Sequence, residues 1–171
     1  MNRSPNIAVV VGNPKPASRT LAAAASLAQT LARGGPTSAI DIVTLGTDLL
    51  TFGSASVEAE IIKICSSQII IVASPTYKAT YSGILKLFVD QLPPDGLRGS
   101  IGIPLMLGAA PHHALAPELH LKPLLAELGA ATPTPGLYLS DKTYESDGKL
   151  DAFVERWRDA IFGSVEKGMQ G

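Results

Sequence analysis

Residues 68–73 read Gln-Ile-Ile-Ile-Val-Ala, and this stretch decides the fold. A short run of β-branched residues without charge is typical of a strand buried on both faces of a parallel sheet. Helical patterns lie on both sides of the run, at about 56–66 before it and from 82 or 83 to 92 after it, where Pro93-Pro94 ends the second one. The run is therefore predicted to be a central strand between two helices.

The same alternation extends to both ends of the chain. Strands are predicted at 6–11, 39–45, 68–73, 101–107 and 136–139, with the second nearer a sheet edge. The other helices are predicted at 18–33, 113–128 and 147–165. Strands that alternate with helices imply a parallel sheet covered on both faces. We expect an α/β fold, a flavodoxin-like three-layer sandwich with a five-stranded parallel sheet in the order 2-1-3-4-5, formed by a single domain over residues 1–171.

Composition limits the function classes. The 171 residues carry a formal net charge of −1, so no broad field attracts nucleic acid or an anionic membrane, and we expect neither as a partner. Cys65 is the one cysteine, which cannot form an internal disulfide and argues for a reducing compartment; we interpret it as a small buried hydrophobe. The sequence has no signal-peptide pattern or spanning apolar stretch, so we expect a cytoplasmic protein.

The predicted topology also selects where a ligand binds. In open α/β sheets, ligands lie beyond the carboxyl ends of the strands, at the point where the strand order reverses. This rule selects the loops that follow Val11, Ala73 and Leu107.

The first of these loops, residues 12–20, is typical of a phosphate site. It leads into a helix whose N-terminal N–H groups favour anions. Ser18 and Thr20 add hydroxyl donors, Arg19 adds a guanidinium, and Lys15 adds charge at the rim. Neither a Walker A motif nor Gly-x-Gly-x-x-Gly occurs here, which favours a mononucleotide phosphate. The alternative is a plain helix cap, with Ser18 as N-cap and Arg19 in solvent.

The second loop, residues 74–83, contains two tyrosines and several hydroxyl groups. Such a loop can flank a flat ring and bind its polar edge. The alternative is that the tyrosines pack against the domain.

The motif Ser-Pro-Thr-Tyr-Lys-Ala-Thr-Tyr-Ser-Gly-Ile-Leu-Lys at 74–86 resembles the NAD(P)H-dependent FMN reductase family. The first loop is similar to that family's Gly-Ser-Pro-x-x-x-Ser-Arg-Ser/Thr, with Asn13 in place of the usual serine. The closest branch is that of the FMN reductases of two-component alkanesulfonate or methanesulfonate monooxygenase systems, which Leu-Lys-Pro at 121–123 also fits. The similarity covers about residues 7–157.

The resemblance implies that FMN and NAD(P)H are the cofactors. It also implies that hydride passes from one cofactor to the other and that the protein supplies no catalytic residue. The residues that it implies to bind FMN are Asn13, Ser18, Arg19, Thr20, Pro75, Thr76, Tyr77, Lys78, Tyr81, Ser82, Gly83, Gly108 and Ala109. Those from 18 to 20 hold the phosphate, and those from 75 to 78 line the ring and ribityl chain. Those from 81 to 83 complete the second loop or contact a neighbouring subunit. Gly108 and Ala109, where the family often has Gly-Gly, let the backbone approach the pyrimidine edge.

The histidines do not suggest a metal site. His112, His113 and His120 have no cysteine or carboxylate that completes a zinc set, so we expect no metal and interpret them as capping, packing or subunit contacts. Pro117 and Pro123 should bulge or kink the helix at 113–128. In the resembling two-component reductases, an inserted residue bulges this helix at a subunit interface. Leu119 or His120 falls at that position, and our hypothesis is that His120 influences flavin exchange and assembly.

The implied function is NAD(P)H-dependent reduction of FMN, with hydride passing to flavin N5 and FMNH2 passing to a partner flavin-dependent monooxygenase. An alternative is a reductase with tightly bound FMN that acts on quinone, azo or metal acceptors. A second alternative is a flavodoxin-like electron carrier, against which Arg19 and the near-neutral charge count. The resemblance also implies a homodimer or homotetramer.

Overall fold

A computed structural model describes residues 5–35 and 37–168 and shows one five-stranded sheet. The strands are β1 Ile7–Val11, β2 Thr37–Asp41, β3 Ile69–Pro75, β4 Ile101–Gly108 and β5 Leu137–Ser140. All neighbouring pairs are parallel, and the order is β2-β1-β3-β4-β5. The predicted fold class and strand order are confirmed.

Helices cover both faces of the sheet. The α-helices are α1 Arg19–Ala32, α2 Ala55–Cys65, α3 Gly83–Val89, α4 Lys122–Glu127 and α5 Lys149–Gly168. Ile69 and Ile71 of β3 face the core that α1 and α5 share, whereas Ile70 and Val72 face the core that α2, α3 and α4 share. The uncharged run at 69–72 is therefore explained by burial on both sides of the sheet.

The register of the strands places the predicted loops at one edge. Val11 pairs with Ala73, and Pro75 pairs with Leu107, so β1, β3 and β4 end at nearly the same level. Loops that leave these strands must then start side by side. This arrangement brings the residues of the candidate site together.

The second predicted strand was partly wrong. The predicted strand covers 39–45, but β2 ends at Asp41 and a 3-10 segment, Ile42–Leu50, follows it. Its apolar residues alternate as in a strand, yet Ile42 and Leu49 are buried against the core beside α2 and α3. Gly46 has a φ of 57° and kinks the segment, a conformation that few other residues adopt readily. The prediction that β2 lies near an edge is confirmed.

The predicted helix at 113–128 is irregular, as its prolines indicated. It consists of a 3-10 turn at Pro111–His113, a π-helix at Pro117–Leu121 and the short α4. Pro117 starts the π-helix, and the N–H of Lys122 bonds to its carbonyl. The expected bulge is thus present as one turn of π-helix.

Two other features bear on the sequence predictions. Cys65, at the end of α2, is only half-buried, and burial raises the pKa of its thiol. The helices in the described part of the chain include none that is long and apolar enough to span a membrane.

Candidate functional site

A cleft of about 430 Å³ lies at the carboxyl edge of the sheet. Loops after four of the strands contribute to it, including the three that the sequence selected. Its lining consists of Asn13, Lys15, Pro16, Ala17, Ser18, Arg19, Thr20, Pro75, Thr76, Tyr77, Leu107, Gly108, Ala109 and Asp141. Most of the predicted site residues thus share one cleft.

Asn13 organises the first loop from within. Its side chain is buried, and its Nδ2 donates to Oγ1 of Thr20 at 3.0 Å. Its Oδ1 accepts from the N–H of Lys15 at 2.9 Å, which closes a short turn. The residue that replaces the family's usual serine therefore fixes both ends of the loop.

The N-terminus of α1 faces the cleft. Ser18 is the N-cap, and its Oγ accepts from the N–H of Leu21 at 3.2 Å. Ala17 has a φ of 49°, which is unfavourable for alanine, and its N–H donates to Oδ2 of Asp41 at 3.0 Å. This bond ties the loop to the end of β2. The helix cap that we considered as an alternative is present, and the cap lies within the cleft.

Arg19 extends across this end of the cleft to the loop after β5. Its Nη1 donates to the carbonyl of Asp141 at 2.8 Å, and its Nη2 lies 3.4 Å from Oδ2 of the same residue. Arg19 is 64% exposed, so the guanidinium still faces solvent. It is therefore held in place rather than fully solvated.

Sequence reasoning missed Asp141. It directly follows Ser140, the last residue of β5. The rule that ligands bind beyond the carboxyl ends of strands applies to β5 as well, and its use there would have found this carboxylate.

The second loop contains a tight turn over residues 77–80. Tyr77 N–H donates to Thr80 O at 2.9 Å, and Thr80 N–H donates to Tyr77 O at 3.1 Å. Lys78 and Ala79 have φ values of 51° and 66°. Positive φ at both central residues defines a type I′ turn, which normally uses Asn or Gly. The turn presents Tyr77 to the cleft, whereas Lys78 does not line it.

Ser82 joins the second loop to the first. Its buried Oγ donates to the carbonyl of Gly12 and accepts from Leu85 N–H as the N-cap of α3. Its own N–H donates to Ser74 Oγ at 2.9 Å. A β-carbon on Gly12 would lie 2.3 Å from Cβ of Leu85, so the first loop packs against the start of α3 without space for a side chain.

The predicted residues at 81–83 do not line the cleft. Ser82 is used in the contact between loops, Gly83 begins α3, and Tyr81 packs against the core beside α2 and α3. Tyr81 thus follows the alternative that we considered, in which a tyrosine packs against the domain. Their predicted contact with a ligand or a neighbouring subunit stays a prediction.

The third loop is held by β5. Tyr138 donates its hydroxyl to the carbonyl of Ala110 at 2.8 Å, and burial raises the pKa of this phenol. Thr76 N–H donates to Leu107 O at 2.7 Å and joins the second loop to the end of β4, from which the third loop leaves. The three loops therefore form one connected unit.

The histidines lie outside the cleft lining. The rings of His112 and His113 contact each other at 4.1 Å between centroids, and His120 is exposed on the π-helix. Across residues 5–35 and 37–168, no group of three histidine, cysteine or carboxylate side chains could hold a metal ion. The part assigned to His120 in exchange and assembly stays a prediction.

A family model described as NADPH-dependent FMN reductase matches residues 5–145. The chain belongs to this family. Membership confirms the resemblance that residues 74–86 carried, and it agrees with a cleft built from the same loops.

Curated relatives share about half of their length or less with the chain. The FMN reductase (NADPH) of Escherichia coli K12 is 43% identical over 72 residues, which cover 42% of this chain and 38% of that protein. The NADH-dependent FMN reductase SfnF of Pseudomonas putida is 32% identical over 92 residues, which cover 54% of this chain and 50% of the relative.

Solved structures share the fold. An apo NADH:FMN oxidoreductase, EMOB, superposes with a TM-score of 0.82 at 24% identity, over 95% of this chain and 89% of that one. An archaeal flavodoxin superposes with a TM-score of 0.64 at 16% identity, over 94% of this chain and 99% of that one.

Proposed function

We propose that the chain binds FMN in this cleft and reduces it with NADH or NADPH. The observation that carries the proposal is the meeting of three loops at one sheet edge, where the N-terminus of α1 lies beside the 75–77 segment and Gly108. Family membership and the relatives named FMN reductase support the same activity.

The donor set fits the phosphate of FMN. Hydroxyls of Ser18 and Thr20, the guanidinium of Arg19 and the N–H groups that begin α1 are all suited to a dianion. The cleft volume of about 430 Å³ lies within the usual range for small-molecule sites, which is roughly 300–1,000 Å³. These residues would hold the phosphate, and Pro75, Thr76 and Tyr77 would flank the ring.

In this proposal the protein binds and orients, and the cofactor supplies the redox chemistry. FMN, when bound, accepts a hydride from the nicotinamide nucleotide. Tyr77 is 45% exposed at the cleft, where its ring can pack against a flat ligand while its hydroxyl stays in water. We assign no acid or base to the protein, since hydride transfer between two cofactors requires none.

We further propose that the reduced FMN passes to a partner flavin-dependent monooxygenase. The Leu-Lys-Pro motif at 121–123 begins at the last residue of the π-helix and supports this branch of the family. Leu115 and Leu119, which are 65% and 61% exposed beside this motif, support a homodimer or homotetramer. A cytoplasmic location is part of the proposal, because the chain has a single cysteine and would use NAD(P)H.

Steady-state oxidation of NADH and NADPH tests the function, with FMN titrated into flavin-free protein. Continuous turnover in air that saturates with micromolar FMN is expected. Turnover that requires a quinone, with flavin retained on gel filtration, would instead support the reductase with tightly bound FMN. If neither nucleotide is oxidised, both reductase functions are wrong, and the flavodoxin-like electron carrier is the function that is left. Arg19→Gln should raise the KM for FMN, whereas Arg98→Gln, which removes an exposed cation outside the cleft, should not.

A further inference from the structure

An acidic residue lies at the phosphate end of the cleft. Asp141 lines it together with Arg19, Ser18 and Thr20. Its carboxylate is mostly buried, with a side-chain exposure of 25%, whereas that of Arg19 is 64%. Within the described part of the chain, Oδ1 of Asp141 is buried and has no hydrogen-bond partner. A carboxylate in this position is unexpected where a dianion would bind.

The two contacts between Asp141 and Arg19 differ in kind. The main-chain carbonyl of Asp141 accepts from Nη1 at 2.8 Å, and this contact orients the guanidinium whatever side chain stands at 141. The carboxylate lies 3.4 Å from Nη2 and competes for the donors that a phosphate would use. A substitution that removes the charge of the Asp141 side chain therefore removes the competition with a phosphate, while the main-chain carbonyl still orients Arg19.

We propose that Asp141 is an affinity-determining residue: its carboxylate opposes the phosphate of the ligand at Arg19 and so favours release of FMN. The inference rests on the proposed function and adds how the site is tuned. A carboxylate and a phosphate that share one guanidinium repel each other, and a mostly buried charge is screened less than an exposed one. Weak binding suits a protein whose flavin must leave after reduction.

Equilibrium binding of two flavins to flavin-free protein tests the inference, since riboflavin lacks the phosphate. Asp141→Asn keeps the main-chain carbonyl and the shape of the side chain but removes the charge. It should bind FMN about three- to tenfold more tightly, as expected for one partly exposed charge interaction, and release FMN more slowly. Its affinity for riboflavin should not change. Inorganic phosphate should compete with FMN more effectively in this variant than in the wild type.

Two further variants serve as controls. Asp151→Asn removes the same charge from an exposed position on α5 outside the cleft and should bind both flavins as the wild type does. Asp141→Glu keeps the charge and should keep the FMN-to-riboflavin affinity ratio near that of the wild type.

The outcomes separate the two proposals. If the wild type binds FMN and Asp141→Asn binds it equally or more weakly, the inference is wrong and the proposed function stands. A gain of affinity for riboflavin as large as that for FMN also overturns the inference, because the effect would then not act on the phosphate. If the wild type binds no FMN, the proposed function fails and the inference fails with it.

Discussion

The phenol oxygen of Tyr138 lies 2.2 Å from the position that a β-carbon on Gly108 would occupy. Gly108 ends β4 in the cleft, and Tyr138 reaches it from the neighbouring strand β5. The same phenol donates to the carbonyl of Ala110, so it cannot move away without loss of that bond. The glycine is required here by its neighbour, and not by its own backbone angles.

Gly108→Ala should lower the free energy of unfolding by about 1–3 kcal/mol, because the added methyl overpacks the contact. Denaturant unfolding measures the change. Tyr138→Phe in the same chain should recover part of it, since the closest atom is then the ring carbon Cζ at 3.0 Å. Gly163→Ala is the matched control: no atom lies within 4 Å of its β-carbon position, and helix α5 should become more stable. Equal losses in both variants would contradict the steric explanation.

Ala79→Gly should stabilise the protein by up to about 1 kcal/mol, because glycine adopts positive φ without the clash that alanine has in the 77–80 turn. The shift of the thermal midpoint measures this gain. Ala126→Gly, at an exposed position in α4, should instead destabilise it by about 1 kcal/mol. A loss of stability in Ala79→Gly would show that the turn is not strained.

Glu118 links the π-helix to the segment before β5, and this link should depend on pH. The hydrogen bond from Lys122 lowers the pKa of this carboxyl, and a second bond from Gly136 N–H acts in the same direction. A carboxyl whose pKa is lower in the folded state stabilises that state above its unfolded pKa, about 4.3. The stabilisation that Glu118 provides is lost as the pH falls from about 4.3 through the lower pKa of the folded state.

Glu118→Gln should therefore lose less stability than the wild type when the pH falls below about 4.3. Chemical unfolding at pH 7, 5, 4 and 3 measures this difference. Lys122→Met removes the main cause of the lowered pKa of Glu118, and it should also make the stability depend less on pH. Identical pH profiles for wild type and both variants would contradict the link.

Ser82→Ala should affect the cleft although Ser82 does not line it. Loss of the bond to Gly12 leaves a buried carbonyl without its donor and should cost about 1–3 kcal/mol of stability. The KM for FMN should rise as well, because the first loop loses its contact with the second. Ser146→Ala, at an exposed serine with a weak bond to Thr143, should change neither quantity. A KM equal to that of the wild type would show that the loops keep their positions without this bond.

Much of the fold followed from local patterns. The run at 69–72 is buried on both faces and predicts β3 without reference to the rest of the chain. Alternation with helices predicts a parallel sheet, and five such strands fit the flavodoxin-like order that the structure has. The predicted strand at 39–45 extends too far, into the 3-10 segment, because burial of Ile42 gives the same apolar pattern as a strand. A short apolar pattern does not distinguish a strand from a buried helical segment, because tertiary packing decides which of them forms.

The site was predictable where it depends on a loop and its position in the topology. Residues 13–20 and 75–77 were identified in that way and line the cleft. The same rule applied to β5 would have found Asp141, but the contacts that Asp141 and Ser82 make join distant segments. Asp141 is 122 positions from Arg19, and Ser82 is 70 positions from Gly12, to whose carbonyl it donates. Local sequence patterns carry no information on which distant residues come into contact.

The contact of Ser82 with Gly12 has a further consequence for the energetics of recognition. Because the loops are joined through buried contacts, their conformational entropy is lost when the chain folds and not when a ligand arrives. The cleft is preorganised, and most of the ordering on association must come from the ligand itself. The flexible polyol chain of a flavin mononucleotide, rather than the polypeptide, would then adapt to the fixed separation of the loops.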